Sequence, residues 1–150
     1  MTRRVIIAVV AVFVAWSIMD ILLHGVLLQS TYAATANLWR PVGEMNRPLM
    51  SLVTLVYAAC FVAIYGYLIE QKSLVSGIRF GALLGLATGI SMGFGSYGFM
   101  PIPLTLAWSW FIGSWIEGIV AGAIVGAIVK PSTGSRLNGR RPDKESNEAT

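Results

Sequence analysis

Residues 104–129 read LTLAWSWFIGSWIEGIVAGAIVGAIV, an unbroken apolar run in which Glu117 is the one ionisable side chain. The hydrocarbon core of a bilayer is about 30 Å thick and an α-helix rises about 1.5 Å per residue, so a span needs about 20 such residues. This run is long enough to cross. Runs of the same character lie at 5–28, 49–69 and 78–100, and the four together predict an all-α, polytopic membrane protein built as a bundle of four transmembrane helices. Breakers and charges mark the junctions. Arg40-Pro41 and Arg47-Pro48 bracket an outer loop at 29–48, Glu70-Gln71-Lys72 separates the second and third runs, and Pro101-Ile102-Pro103 forces a sharp turn before the fourth. A transmembrane domain therefore occupies residues 1–131, and the polar stretch 132–150 reads as a disordered cytoplasmic tail.

Composition points the same way. Of the 150 residues 55% are hydrophobic and only 12% charged, with a mean hydropathy of +0.69. Folding hides only about 70% of the surface of a chain this long, so a water-soluble domain would need many more charged side chains. The net charge is +4 and the pI about 9.6. The bases flank apolar runs instead of lining a polar groove, so the excess belongs to the lipid bilayer and its anionic headgroups, with no nucleic acid implied. Cys60 is the single cysteine, which excludes an internal disulfide and any multi-cysteine metal centre.

With both termini in the cytoplasm, Arg3, Arg4, Lys72, Arg79, Lys130, Arg136, Arg140, Arg141 and Lys144 lie inside and only Arg40 and Arg47 outside, nine bases against two. Trp108, Trp110 and Trp115 then fall toward the outer end of the fourth span and Trp39 in the outer loop, as an aromatic belt requires. Arg3-Arg4, the first apolar run and Ala34-Thr35-Ala36 imitate a secretory signal peptide. The run is longer than the usual core of about 7–15 residues, and it contains Asp20 and His24, so it is read as a retained first span.

Two stripes of small residues bear on packing. Gly77, Gly81, Gly85, Gly89 and Gly93 recur every fourth residue in the third span, and Ser114, Gly118, Gly122 and Gly126 do so in the fourth. Lipid gives helices no hydrophobic reason to associate, so small residues that let backbones approach supply much of the attraction. The stripes are expected to face each other, or an equivalent stripe on another copy in a homo-oligomer. Exposed glycine carbonyls could instead line a narrow passage.

Asp20 and Glu117 carry most of the functional information, because a charged side chain near mid-bilayer costs at least about 2.5–3.5 kcal/mol on insertion scales. They sit at comparable depth in the first and fourth spans. His24 is four residues beyond Asp20 and Ser17 three before it, which puts the three on one helical stripe. Gly113 and Ala121 flank Glu117 on its own face, an arrangement that favours a protein-facing carboxylate. His24 and the outer-loop residues Arg40 and Arg47 are candidate partners for the carboxylates, and Glu44 joins them if that loop folds inward. Three readings compete for this set: a buried polar staple that holds helix register, a site for a proton, cation or small polar solute, or a metal site of Asp20, His24, Glu117 and Glu44. One histidine is thin for a metal and thinner for heme, so no cofactor is expected. No nucleophile motif is present, and GALLGLATGISMGFG at 81–95 lacks the GK[ST] of a phosphate loop and lies within a span. An enzyme is accordingly the least favoured class.

The ordered set DxxxHG at Asp20–Gly25, Tyr32, LWRP at Leu38–Pro41, Glu44-Met45, RFG at Arg79–Gly81, MPIP at Met100–Pro103 and IEG at Ile116–Gly118 resembles an uncharacterised family of small bacterial four-helix integral membrane proteins. The resemblance spans residues 5 to 131. It implies a multi-pass protein of the bacterial cytoplasmic (inner) membrane, draws attention to Asp20, His24, Arg40, Glu44 and Glu117, and supplies no activity. The sequence therefore leads to an inner-membrane bundle with a polar pocket in its outer half. That pocket binds, and in an oligomer can pass, a proton, cation or small polar solute. The alternative is an accessory or assembly subunit whose glycine faces hold a partner membrane protein and whose acids are staples.

Overall fold

A computed structural model describes residues 2–129, so the expected tail at 132–150 lies outside the described residues. The first helix, α1 (Thr2–Asp20), continues without a break into a π-helical segment at Ile21–Leu27. A short helix, α2 (Gln29–Ala34), and two 3-10 turns (Ala36–Leu38 and Val42–Glu44) make up the loop before α3 (Arg47–Leu68). Then come α4 (Leu74–Ile90), a second π-helical segment (Ser91–Gly95), α5 (Ser96–Phe99) and α6 (Leu104–Ile128). All regular structure among the described residues is helical, and four stretches, Arg3–Leu27, Arg47–Leu68, Leu74–Phe99 and Leu104–Ile128, are long and apolar enough to cross a membrane.

Local chemistry sets the helix ends. Asn46 caps α3 by accepting from the Leu49 amide at 3.0 Å, with Pro48 in the first turn, where its missing N–H leaves no bond unmade. Ser73 caps α4 in a reciprocal box: its hydroxyl accepts from the Ser76 amide at 3.0 Å while Ser76 Oγ accepts from the Ser73 amide at 2.8 Å. That cap starts the helix at Leu74, four residues ahead of the expected Ile78, and brings Arg79 inside it. Tyr65 of α3 locks the junction, its hydroxyl accepting from Ser73 N at 3.1 Å and donating to Ser73 O at 2.9 Å.

The closest helix pair is α4 with α6, while α1 packs against both α3 and α6. Glycine makes that approach possible. A Cβ on Gly85 would lie 2.9 Å from the Ser114 carbonyl oxygen, one on Gly89 2.7 Å from that of Phe111, and one on Gly126 2.7 Å from that of Ser73. Gly77 and Gly81 meet Gly122 and Gly118 in the same way. The two stripes thus face each other within one chain, backbone against backbone.

Apolar side chains form two buried clusters. Ala8, Val12, Trp16, Phe61, Tyr65 and Val125 belong to one, nearer the α3–α4 turn; Leu28, Ile102, Leu106 and Ala107 form the other, beside the 29–48 loop. Between them the N-terminal half of α3 is left exposed. From Arg47 to Tyr57 every residue except Thr54 is exposed, whereas Ala58, Phe61, Val62, Tyr65 and Gly66 are buried.

Candidate functional site

A cavity of about 520 Å³ occupies the space between the two clusters. All four long helices contribute to its wall. Trp16 and Asp20 come from α1, Leu23 and His24 from the π segment that follows, Thr54, Tyr57 and Phe61 from α3, and Thr88 from α4 with Ser91 just beyond. Trp110, Ser114 and Glu117 come from α6. Both π segments lie in this wall. The first carries an i→i+5 bond from the Leu28 amide to Leu23 O at 2.9 Å, and such wide turns inside α-helices occur frequently at functional sites.

Asp20 and His24 stand beside each other, with Nε2 3.9 Å from Oδ1, too long for a hydrogen bond but close enough for Coulombic contact. Their side chains are 45% and 42% exposed respectively. The other face of the imidazole is held. Trp110 Nε1 donates to the Tyr32 hydroxyl at 2.8 Å, and that hydroxyl lies 2.6 Å from His24 Nδ1. Indole can only donate, so Tyr32 accepts there and has its own proton free for Nδ1. In the neutral ring the imidazole proton then sits on Nε2, toward Asp20. Burial pushes the Tyr32 phenol above its usual 10.0, against a smaller opposing effect of the Trp110 hydrogen bond, so the hydroxyl remains a donor at any physiological pH. Trp39 packs edge-on to both Tyr32 and Trp110 and donates to Thr35 Oγ1 at 2.9 Å, which ties the loop down beside the cavity.

Glu117 is placed by the opposite wall. Trp16 Nε1 donates to the Glu117 backbone carbonyl at 3.0 Å, pinning α1 to α6 at this level. The side chain is half-buried, and among the described residues its Oε1 is fully buried with no hydrogen-bond partner. Gly113 leaves room for Leu23, whose side chain occupies the space a Cβ there would take.

Of the residues singled out from the sequence, Asp20, His24 and Glu117 thus line one cavity. Arg40 and Glu44 do not; both are exposed on the 29–48 loop, Arg40 between its two 3-10 turns and Glu44 in the second. Ser17, although on the Asp20 stripe, is half-buried away from the cavity wall. Among the described residues no group of three His, Cys, Asp or Glu side chains is arranged to hold a metal ion. The sequence reading passed over Thr54, Tyr57, Thr88 and the tie through Tyr32. One contributor had a signal: Trp16 precedes Asp20 by four residues and so shares its face. The wide turns carry no comparable mark.

Comparison with known proteins supplies no further constraint: no family model matches the chain, and no curated protein or solved structure matches it.

Proposed function

We propose that this chain is a multi-pass protein of a bacterial cytoplasmic membrane, with both termini inside, whose cavity binds a proton, cation or small polar solute through Asp20, His24 and Glu117. The single observation that carries the reading is that these three side chains, from α1, its π extension and α6, share one cavity while Glu117 Oε1 has no partner among the described residues. A staple would spend both carboxylate oxygens on neighbouring helices, because an unsatisfied buried acceptor costs about 1–3 kcal/mol. That oxygen makes no such bond among the described residues, which speaks against a staple, and Glu117 as a residue lines the cavity. The nine-to-two distribution of bases supports the orientation, and the likeness noted in the sequence supports the bacterial membrane.

The test uses a thiol placed in the cavity wall. In a Cys60→Ser background, Ser114→Cys should react with water-soluble methanethiosulfonates, and the trimethylammonium reagent should react faster than the sulfonate reagent by about tenfold, a factor worth about 1.4 kcal/mol. Adding Asp20→Asn and Glu117→Gln should erase that preference while insertion into the membrane is unchanged. No reaction with either reagent, or equal rates with both acids in place, would remove the site and leave a packing scaffold.

A further inference from the structure

Resting on that reading, we infer that the occupant is an organic ammonium: a primary or secondary amine carrying an aromatic or aliphatic body, held by its charge at Asp20 and Glu117 and by its body on the aromatic wall.

Size comes first. A cavity of about 520 Å³ is far larger than a proton or a bare ion needs, and it falls within the range of about 300–1,000 Å³ usual for pockets that take small organic molecules. An inorganic divalent ion demands a close cage of oxygens at about 2.0–2.6 Å, and no metal-holding group exists among the described residues.

Charge comes second. Apart from the Tyr57 phenol, the ionisable side chains in the wall are Asp20, Glu117 and His24, and among the described residues no lysine or arginine lies there to receive an anion. Two of the five hydroxyls in the wall add to the bias. Thr54 donates to Met50 O at 3.2 Å and Thr88 to Leu84 O at 2.9 Å, so each has only lone pairs left for the cavity. A ligand that matches this inventory brings N–H donors and a positive charge.

Shape comes third. Tyr57 stacks on Trp16, with ring centroids 5.1 Å apart and planes 19° from parallel, and as a whole it is 41% exposed. Aromatic faces attract cations and pack against apolar bodies alike, which suits an amphipathic cation better than a hydrated one.

The experiment uses the full chain in phosphatidylcholine nanodiscs, with empty discs as the blank, and measures equilibrium binding of tryptamine and of its uncharged analogue tryptophol. Tryptamine is expected to bind saturably and at least tenfold more tightly than tryptophol. Tyr57→Ala should weaken tryptamine at least fivefold, and Asp20→Asn with Glu117→Gln should bring the two ligands level. Equal binding of both ligands to the wild type, or no saturable tryptamine signal above empty discs, overturns the inference; this comparison stands even where a variant does not fold. If tryptamine fails while the thiol at position 114 still prefers the cationic reagent, only the amine inference falls. If both fail, the cavity reading falls with it.

Discussion

Gly81→Ala adds one methyl group where the structure leaves no room for it. A Cβ at this position points at the Gly118 carbonyl oxygen and would sit 2.8 Å from Gly122 Cα and 3.0 Å from Gly118 C. All three are backbone atoms, so no rotamer change relieves the contact. Restoring an ordinary separation of 3.4 Å from Gly122 Cα alone requires α4 and α6 to move apart by at least about 0.6 Å locally, and the still closer Gly118 oxygen demands more. A gap of about 0.5–1 Å forfeits a quarter to a half of the dispersion well for each atom pair it opens, and overpacking of this kind costs about 1–3 kcal/mol. Gly66→Ala in α3 is the control. Gly66 is buried, yet a Cβ there meets nothing within 4 Å, so the substitution should be neutral or stabilise by up to about 1 kcal/mol through helix propensity. Reversible unfolding in mixed micelles with increasing dodecyl sulfate, followed by circular dichroism, measures both. Wild-type stability for Gly81→Ala, or equal losses for the two variants, would refute the claim that backbone contact between these glycines holds the bundle.

Two further substitutions, a pH titration and a pair of topology fusions test other parts of the structure and its reading. Tyr65→Phe removes a fully buried hydroxyl that serves both Ser73 N and Ser73 O, and should cost about 1–3 kcal/mol in the same unfolding assay. Tyr32→Phe orphans Trp110 Nε1 and His24 Nδ1; because His24 is the single histidine, its imidazole nitrogen shifts report directly, with the proton on Nε2 in the neutral wild-type ring and a tautomer mixture in the variant. The raised Tyr32 phenol favours the folded state below pH 10.0, and that contribution should fade as pH rises past it, so stability that climbs above pH 10 would contradict the buried hydroxyl. Alkaline phosphatase inserted in the 29–48 loop should be active and the same enzyme fused after residue 130 inactive, the reverse pattern meaning the opposite orientation.

The residues that make each helix could be read one segment at a time, because whether a stretch of about 20 side chains prefers hydrocarbon to water is a sum over that stretch alone. Helix ends were legible where a single residue sets them, as Pro101-Ile102-Pro103 does before α6; the start of α4 was not, since the cap there depends on Ser73 and Ser76 serving each other. Glycine spacing marked two faces of close approach but left open whether they met within one chain or between copies. The structure has them meet inside one chain.

The polar set shows the same division. Spacing alone placed Ser17, Asp20 and His24 on one side of the first helix, and placed Glu117 among small neighbours on the fourth. It could not say that these two sides turn toward a common hollow. That depends on α4 and α6 closing to backbone contact, on the N-terminal half of α3 staying exposed, and on the π segment that carries His24. Nor could it say that Arg40 and Glu44 stay on the loop surface, Arg40 between two 3-10 turns and Glu44 in the second of them. Transfer into lipid is additive along the chain and so is written in the order of residues. Convergence is a relation between segments about a hundred residues apart, and only the packed bundle brings them together.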